Sequence, residues 1–189
     1  MSGNSGWEKM GQEIQERLGQ ATPETDIKSA KIFKNQILKT LTKASDEQLL
    51  KTKPHEIYKL LKLEKSGQHG KGVSEIMGGQ RNFKRIRDLP HFERADRCWF
   101  DFAILIDENP KQAQVLGFNF EFRFPDDFSV KFLRFDLNTP GHDNDKRGIR
   151  FHLHPGHDDL MIPSPPLCPL EILHLFLYGL PIPDRPRSS

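Results

Sequence analysis

The stretch Phe118-Asn119-Phe120-Glu121-Phe122-Arg123-Phe124 decides the fold. Phenylalanine takes every second position, and successive side chains of a β-strand point to opposite faces. The alternation therefore predicts a half-buried strand with four rings on its inner side. Outward from it, Trp99 to Ile106 has the same character and ends in the turn signal Asp107-Glu108-Asn109-Pro110. Downstream, Pro125-Asp126-Asp127 leads into a strand over Phe128 to Leu137, and a fourth strand runs from Gly148 to His154 after a loop at 138–147. Connections this short favour antiparallel pairing. Pro163, Pro165 and Pro166 interrupt regular structure until Pro169 opens a last helix, closed by Gly179 and Pro181. That helix is apolar almost all round, so it is expected to lie against one face of the sheet. Only 35% of the chain is apolar, and fourteen phenylalanines supply the bulk of the core.

The first half carries a helical period. Trp7, Met10, Ile14 and Leu18 form a stripe ending at Gly19, and Thr22-Pro23-Glu24 is a helix start for a face made of Ile27, Ala30, Phe33, Ile37, Leu38 and Leu41. Ser45 with Gln48 reads as a capping box opening a third helix with Leu49 and Leu50. Pro54 opens a fourth with Ile57, Tyr58, Leu60, Leu61 and Leu63 on its buried side. Ser66 to Gly79 reads as a loop with one helical turn at Val73 to Met77. The expected architecture is α+β: a basic helical region over 1–96, a four-stranded antiparallel sheet with its C-terminal helix over 97–180, and a mobile tail over 181–189.

Charge divides the same way. Residues 1–96 hold 18 Lys+Arg against 13 Asp+Glu, and residues 97–189 hold 10 against 13, although the whole chain is only +2. Arg81, Lys84, Arg85 and Arg87 form the densest basic run, and on a helix most of them would share a face able to meet a phosphate backbone or stay in water. Two cysteines, Cys98 and Cys168, fit free thiols in a reducing compartment. No apolar run approaches the roughly 20 residues that span a bilayer, and the N-terminus lacks a signal-peptide core, so a cytoplasmic protein without a membrane partner is expected.

The candidate chemistry lies on the fourth strand. Arg150, His152 and His154 project opposite Ile149, Phe151 and Leu153, and Arg134 and Asp136 alternate likewise on the preceding strand, where pairing would bring them alongside. His142, Arg147, His157, Asp158 and Asp159 flank the row. Two chemistries fit. The histidines could act as general base and acid on a phosphodiester, with Arg134 or Arg150 stabilising phosphoryl charge. Alternatively, His152, His154 and His157 could bind a transition metal, completed by Asp136, Asp158 or Asp159. A third possibility is that the histidines simply hold Asp136 and the loop backbone in place.

The run Arg134-Phe135-Asp136-Leu137-Asn138-Thr139-Pro140-Gly141-His142, then His152-Leu153-His154, then Pro163-Ser164-Pro165 before Leu170-Glu171-Ile172-Leu173, resembles the C-terminal pattern of the TumE-like toxin family of bacterial toxin–antitoxin proteins. The likeness covers about residues 98–178. The chain departs from it at Leu137, at Gly141 and in the insertion Asp143-Asn144-Asp145-Lys146. The resemblance implies a nucleic-acid-directed toxin, with RNA as target and an antitoxin-like protein partner, and it marks Arg134, Asp136, His142, His152 and His154. Taken with the strand geometry it points to a metal-independent ribonuclease without a cofactor. The alternatives are a non-catalytic module binding a partner or nucleic acid through the basic helices, and a histidine-based metal site.

Overall fold

The phenylalanine run belongs to a strand in the middle of a sheet wider than the sequence suggests. The computed structural model describes residues 6–19, 27–81 and 84–182. The helix signal at Thr22-Pro23-Glu24, the residue Phe83 and most of the expected tail lie outside these, as does the Trp7 side chain. Among the described residues the strands are β1 (Leu61–Lys65), β2 (Val73–Gly78), β3 (Phe92–Glu93), β4 (Trp99–Asp107), β5 (Gln114–Arg123), β6 (Phe132–Leu137), β7 (Phe151–Pro155) and β8 (Ile162–Pro163). They form one sheet in the order β1-β2-β4-β5-β6-β7-β8, with β3 also paired to β4. Every pairing is antiparallel. The α+β class holds, and the four expected strands become eight.

The added strands come from segments whose apolar residues suggested helix or loop. Helix α3 (Pro54–Leu60) stops before Leu61. Leu61, Lys62, Leu63 and Glu64 also alternate with period two, and here they pair with β2 in the register Leu61↔Gly78 to Lys65↔Ser74. Strand β2 pairs on its other side with β4. Ladders on both sides satisfy its backbone, which one isolated helical turn at Val73 to Met77 would not.

Helix α1 (Gly6–Gly19) ends where the sequence suggests. Helix α2 (Ala30–Asp46) begins later than expected, capped by Ser29, whose Oγ accepts the Ile32 N–H at 3.2 Å. Ile27 instead bridges to Ala113. No helix starts at Ser45: its hydroxyl donates to the Thr52 carbonyl, Gln48 sits at φ 61, and Leu50 bridges to Arg94. Within the loop after β6 there is one helical turn, α4 (Asp143–Lys146). The last helix, α5 (Pro169–His174), continues as a π-helical turn over Leu175–Gly179. Among the described residues no helix is long and apolar enough to cross a membrane.

One face of the sheet is the aromatic core. Phe100 and Phe102 of β4, Phe118, Phe120 and Phe122 of β5, Phe135 of β6 and Phe151 of β7 are buried there. The ring of Phe176 packs among Phe100, Phe120, Phe122 and Phe135, with centroids 5.0–6.1 Å away. The C-terminal helix therefore covers this face, as its apolar character predicts. Helix α2 contributes Phe33, Ile37 and Leu41 to the same cluster. Arg94 ties the π-turn down by donating to the carbonyls of Phe176 and Leu180.

Candidate functional site

The other face is also buried, and it is polar. The register places Asp101 of β4 opposite Glu121 of β5, Glu121 opposite Arg134 of β6, and Arg134 opposite His154 of β7. One residue pair along, Asn119 faces Asp136 and Asp136 faces His152. The polar residues interleaved with the phenylalanines are thus not the solvent side of a half-buried strand. Glu121 and Arg123 are 0% and 2% exposed.

The segment after β2 covers much of this face. Gly79 at φ 79 lets the chain cross close over β4, since a Cβ there would lie 2.8 Å from the Pro90 carbonyl oxygen. Residues 84–91 then lie over the sheet, with His91 on Trp99 at 4.5 Å and the Arg85 guanidinium on the Phe132 ring at 3.6 Å. Among the described residues of this run, Arg81, Lys84, Arg85 and Arg87 are not helical, and Arg85 adopts φ 55. Its side chain turns inward because Glu121 and Asp158 wait for it: Nε donates to Glu121 at 3.0 Å and Nη2 to Asp158 at 2.8 Å. Arg87 pairs with Glu93 at 3.1 Å, Lys84 is exposed, and Arg81 borders the cleft described below.

Carboxylates and guanidiniums alternate through the layer. Arg123 binds Asp101 at 2.8 Å and Glu121 at 2.7 Å. Arg134 reaches Glu121 at 3.3 Å, Asp136 at 2.9 Å and Asp158. Burial raises the Asp101 carboxyl to about 6 despite Arg123. Hydrogen bonds from Arg85 and then Arg134 hold half-exposed Asp158 down at about 2. Burial would raise Asp136 too, but the His154 hydrogen bond and the Arg134 guanidinium outweigh it and keep its carboxyl below the usual range.

Beside this network lies a cleft of about 270 Å³, bordered by Glu75, Arg81, Asn119, Arg134, Asp136 and His142 among others. The strand pairing brings together most of the anticipated row. His154 Nε2 lies 3.2 Å from Asp136 Oδ2 and His152 Nε2 lies 3.7 Å from the same oxygen. The two histidines are only 2% and 3% exposed. They do not line the cleft and stand behind Asp136. His152 Nδ1 bonds the Ile149 carbonyl at 2.9 Å, while His154 Nδ1 is buried and has no hydrogen-bond partner among the described residues. Burial lowers the His152 proton affinity more than Asp136 raises it, so this ring is neutral near neutral pH.

Arg150 is not in the row. It precedes β7, and its guanidinium holds the carbonyls of Asn138 and Leu116 at 2.8 and 2.9 Å. His142 is exposed at the cleft wall, and its Nδ1 accepts the Asn144 N–H. His157 is likewise exposed, with Nδ1 accepting the Asp159 N–H within its own loop. Sequence reasoning missed Asp101, Asn119, Glu121 and Arg123 as members of the site. Their signal was the mixture of both charges at alternate positions of two adjacent strands. Neither thiol is activated, since burial pushes Cys98 up to about 12 and raises Cys168 as well. No protein-family model matches this chain, and no curated protein or solved structure matches it.

Proposed function

We propose that the chain is an RNA-directed phosphodiesterase, a ribonuclease of the kind that the TumE-like resemblance implies, and that the cleft over β5 and β6 holds the strand. The observation that carries this reading is the pairing of Arg134 and Asp136, a fixed cation beside an ionised carboxylate, at a cleft also bordered by Arg81 and His142. Such a cleft suits a phosphodiester: guanidinium hydrogen bonds stabilise charge that develops on the phosphoryl oxygens. A carboxylate held below its usual pKa is a weak base but a good acceptor, so Asp136 would orient the attacking ribose 2′-hydroxyl. Attack on phosphorus expels the 5′-oxygen, and His142, which lines the wall with His69, would take the 2′-hydroxyl proton and return it to that leaving oxygen. His152 and His154 act through Asp136, fixing its position and its charge.

The test uses fluorescent single-stranded RNA and the purified full chain. Cleavage by the wild type is expected, with Asp136→Asn and His142→Ala each slowing it by about 10²-fold or more. The reading fails if the wild type leaves RNA intact both with and without divalent ions, or if both variants cut at the wild-type rate.

A further inference from the structure

Asp136, His152 and His154 offer more than an acid–base pair. Their ligand atoms all lie within 4.8 Å of one another. The separations from Asp136 Oδ2, 3.2 Å to His154 Nε2 and 3.7 Å to His152 Nε2, bracket the edge of about 3.4 Å expected for a tetrahedron with metal–ligand bonds near 2.0–2.1 Å. The backbone explains the convergence. Two residues apart on β7, the imidazoles share a face, and the register sets Asp136 directly opposite His152.

Hydrogen bonding decides what stands between them. The Ile149 carbonyl can only accept, so His152 Nδ1 carries the hydrogen and donates at 2.9 Å. The other ring nitrogen, Nε2, faces the Asp136 carboxylate oxygen at a distance too long for a hydrogen bond. The same oxygen accepts from Arg134 Nε at 2.9 Å, so a cation bound here would share it with that guanidinium. An Nδ1–H donated to a carbonyl is also the arrangement that commonly orients a metal-binding histidine, and Asn119 Nδ2 fixes the far oxygen of Asp136. Arg134 does not bar a cation, because its charge is shared among Glu121, Asp136 and Asp158.

We infer that Asp136, His152 and His154 form a three-ligand site for a divalent first-row transition ion, buried behind the cleft that Asp136 borders. Two imidazoles with one carboxylate suit zinc, nickel or ferrous iron and disfavour magnesium and calcium, which prefer oxygen. His157 and Asp159, though close in sequence, stay outside. This goes beyond the RNA reading and departs from the metal-free chemistry that the paired histidines suggest in sequence.

The experiment is metal uptake by untagged full-length protein after dialysis against a chelator. Titration with zinc should show one tight site per chain, and cobalt should give the intense visible bands of a tetrahedral centre. His152→Ala, His154→Ala and Asp136→Asn should each weaken uptake at least about 100-fold, more than loss of an outer-shell partner would, while His157→Ala keeps it. If the alanine variants fail to fold, the cobalt spectrum and a zinc-dependent rise in wild-type melting temperature still decide the matter. Wild-type protein that takes up no stoichiometric zinc and shows no cobalt bands overturns the site, as does uptake that survives in Asp136→Asn. RNA cleavage by protein that takes up no ion would sink the metal site and spare the ribonuclease, and a bound ion without cleavage would do the reverse.

Discussion

The two faces of the sheet are both largely buried and are built from opposite materials. On one, rings from three strands close around Phe176. On the other, Asp101, Glu121, Asp136, Arg123 and Arg134 are covered by Arg85 and its loop. The aromatic face needs only to be apolar and well filled, and its stabilisation grows with the area removed from water. The polar face depends on every charge keeping its partners, because desolvating ions is costly and only good geometry offsets it. A face that contributes so uncertainly to stability and still holds its side chains in place is a candidate for function.

The comparison predicts different responses to deletion. Arg123→Leu strands Asp101, while Glu121 keeps Arg85 and Arg134, and should cost about 3–5 kcal/mol in chemical denaturation, yet adding Asp101→Leu should recover much of that loss. Phe176→Ala should cost a similar amount, about 3–5 kcal/mol, through its cavity, and no second truncation should restore it. If the double variant on the polar face is no better than the single one, the faces do not differ in the way described.

Acidity sharpens the contrast. Asp101 has a folded value of about 6 against an unfolded 3.8, so between those values the folded chain holds a proton that the unfolded chain has released. Stability should therefore fall as pH rises from about 4 to about 6, by about 2 kcal/mol from this group, and level off above. Asp101→Asn should remove that component from unfolding curves collected across the range, while Phe176→Ala should leave it in place.

Asp158 should give the smallest effect and the opposite sign. Its folded value of about 2 lies below the unfolded 3.8, so its contribution is present above about pH 4 and disappears as pH falls toward 2. The side chain is half exposed, and solvent screening limits Asp158→Asn to about 1 kcal/mol or less at neutral pH. A larger loss would mean that the covering loop depends on this residue more than its exposure implies.

The aromatic face was legible because period-two alternation is strong and local. The row of Arg134, Asp136, His152 and His154 was legible for the same reason, and the register Asp136↔His152 completes it. What covers the polar face was not legible. A residue such as Arg85 in a left-handed turn gives no periodic signal, so a basic run that is partly internal reads like a solvated helix. β1 was hidden because five residues of alternating Leu and charge follow α3 directly, and Leu61 and Leu63 fit either period. Arg150 has the right parity on paper, but β7 begins one residue after it.

The sheet is open, and its two ends differ in length and composition. β1 offers Lys62, Glu64 and Lys65 along a five-residue border, and β8 is only two residues long and ends at Pro163. Charged side chains along a rim oppose the addition of an apolar strand, and a proline cannot donate to a further ladder. Neither rim is a template for another strand, so a protein with this much phenylalanine at the middle of its sheet is guarded at its margins against growing into fibrils.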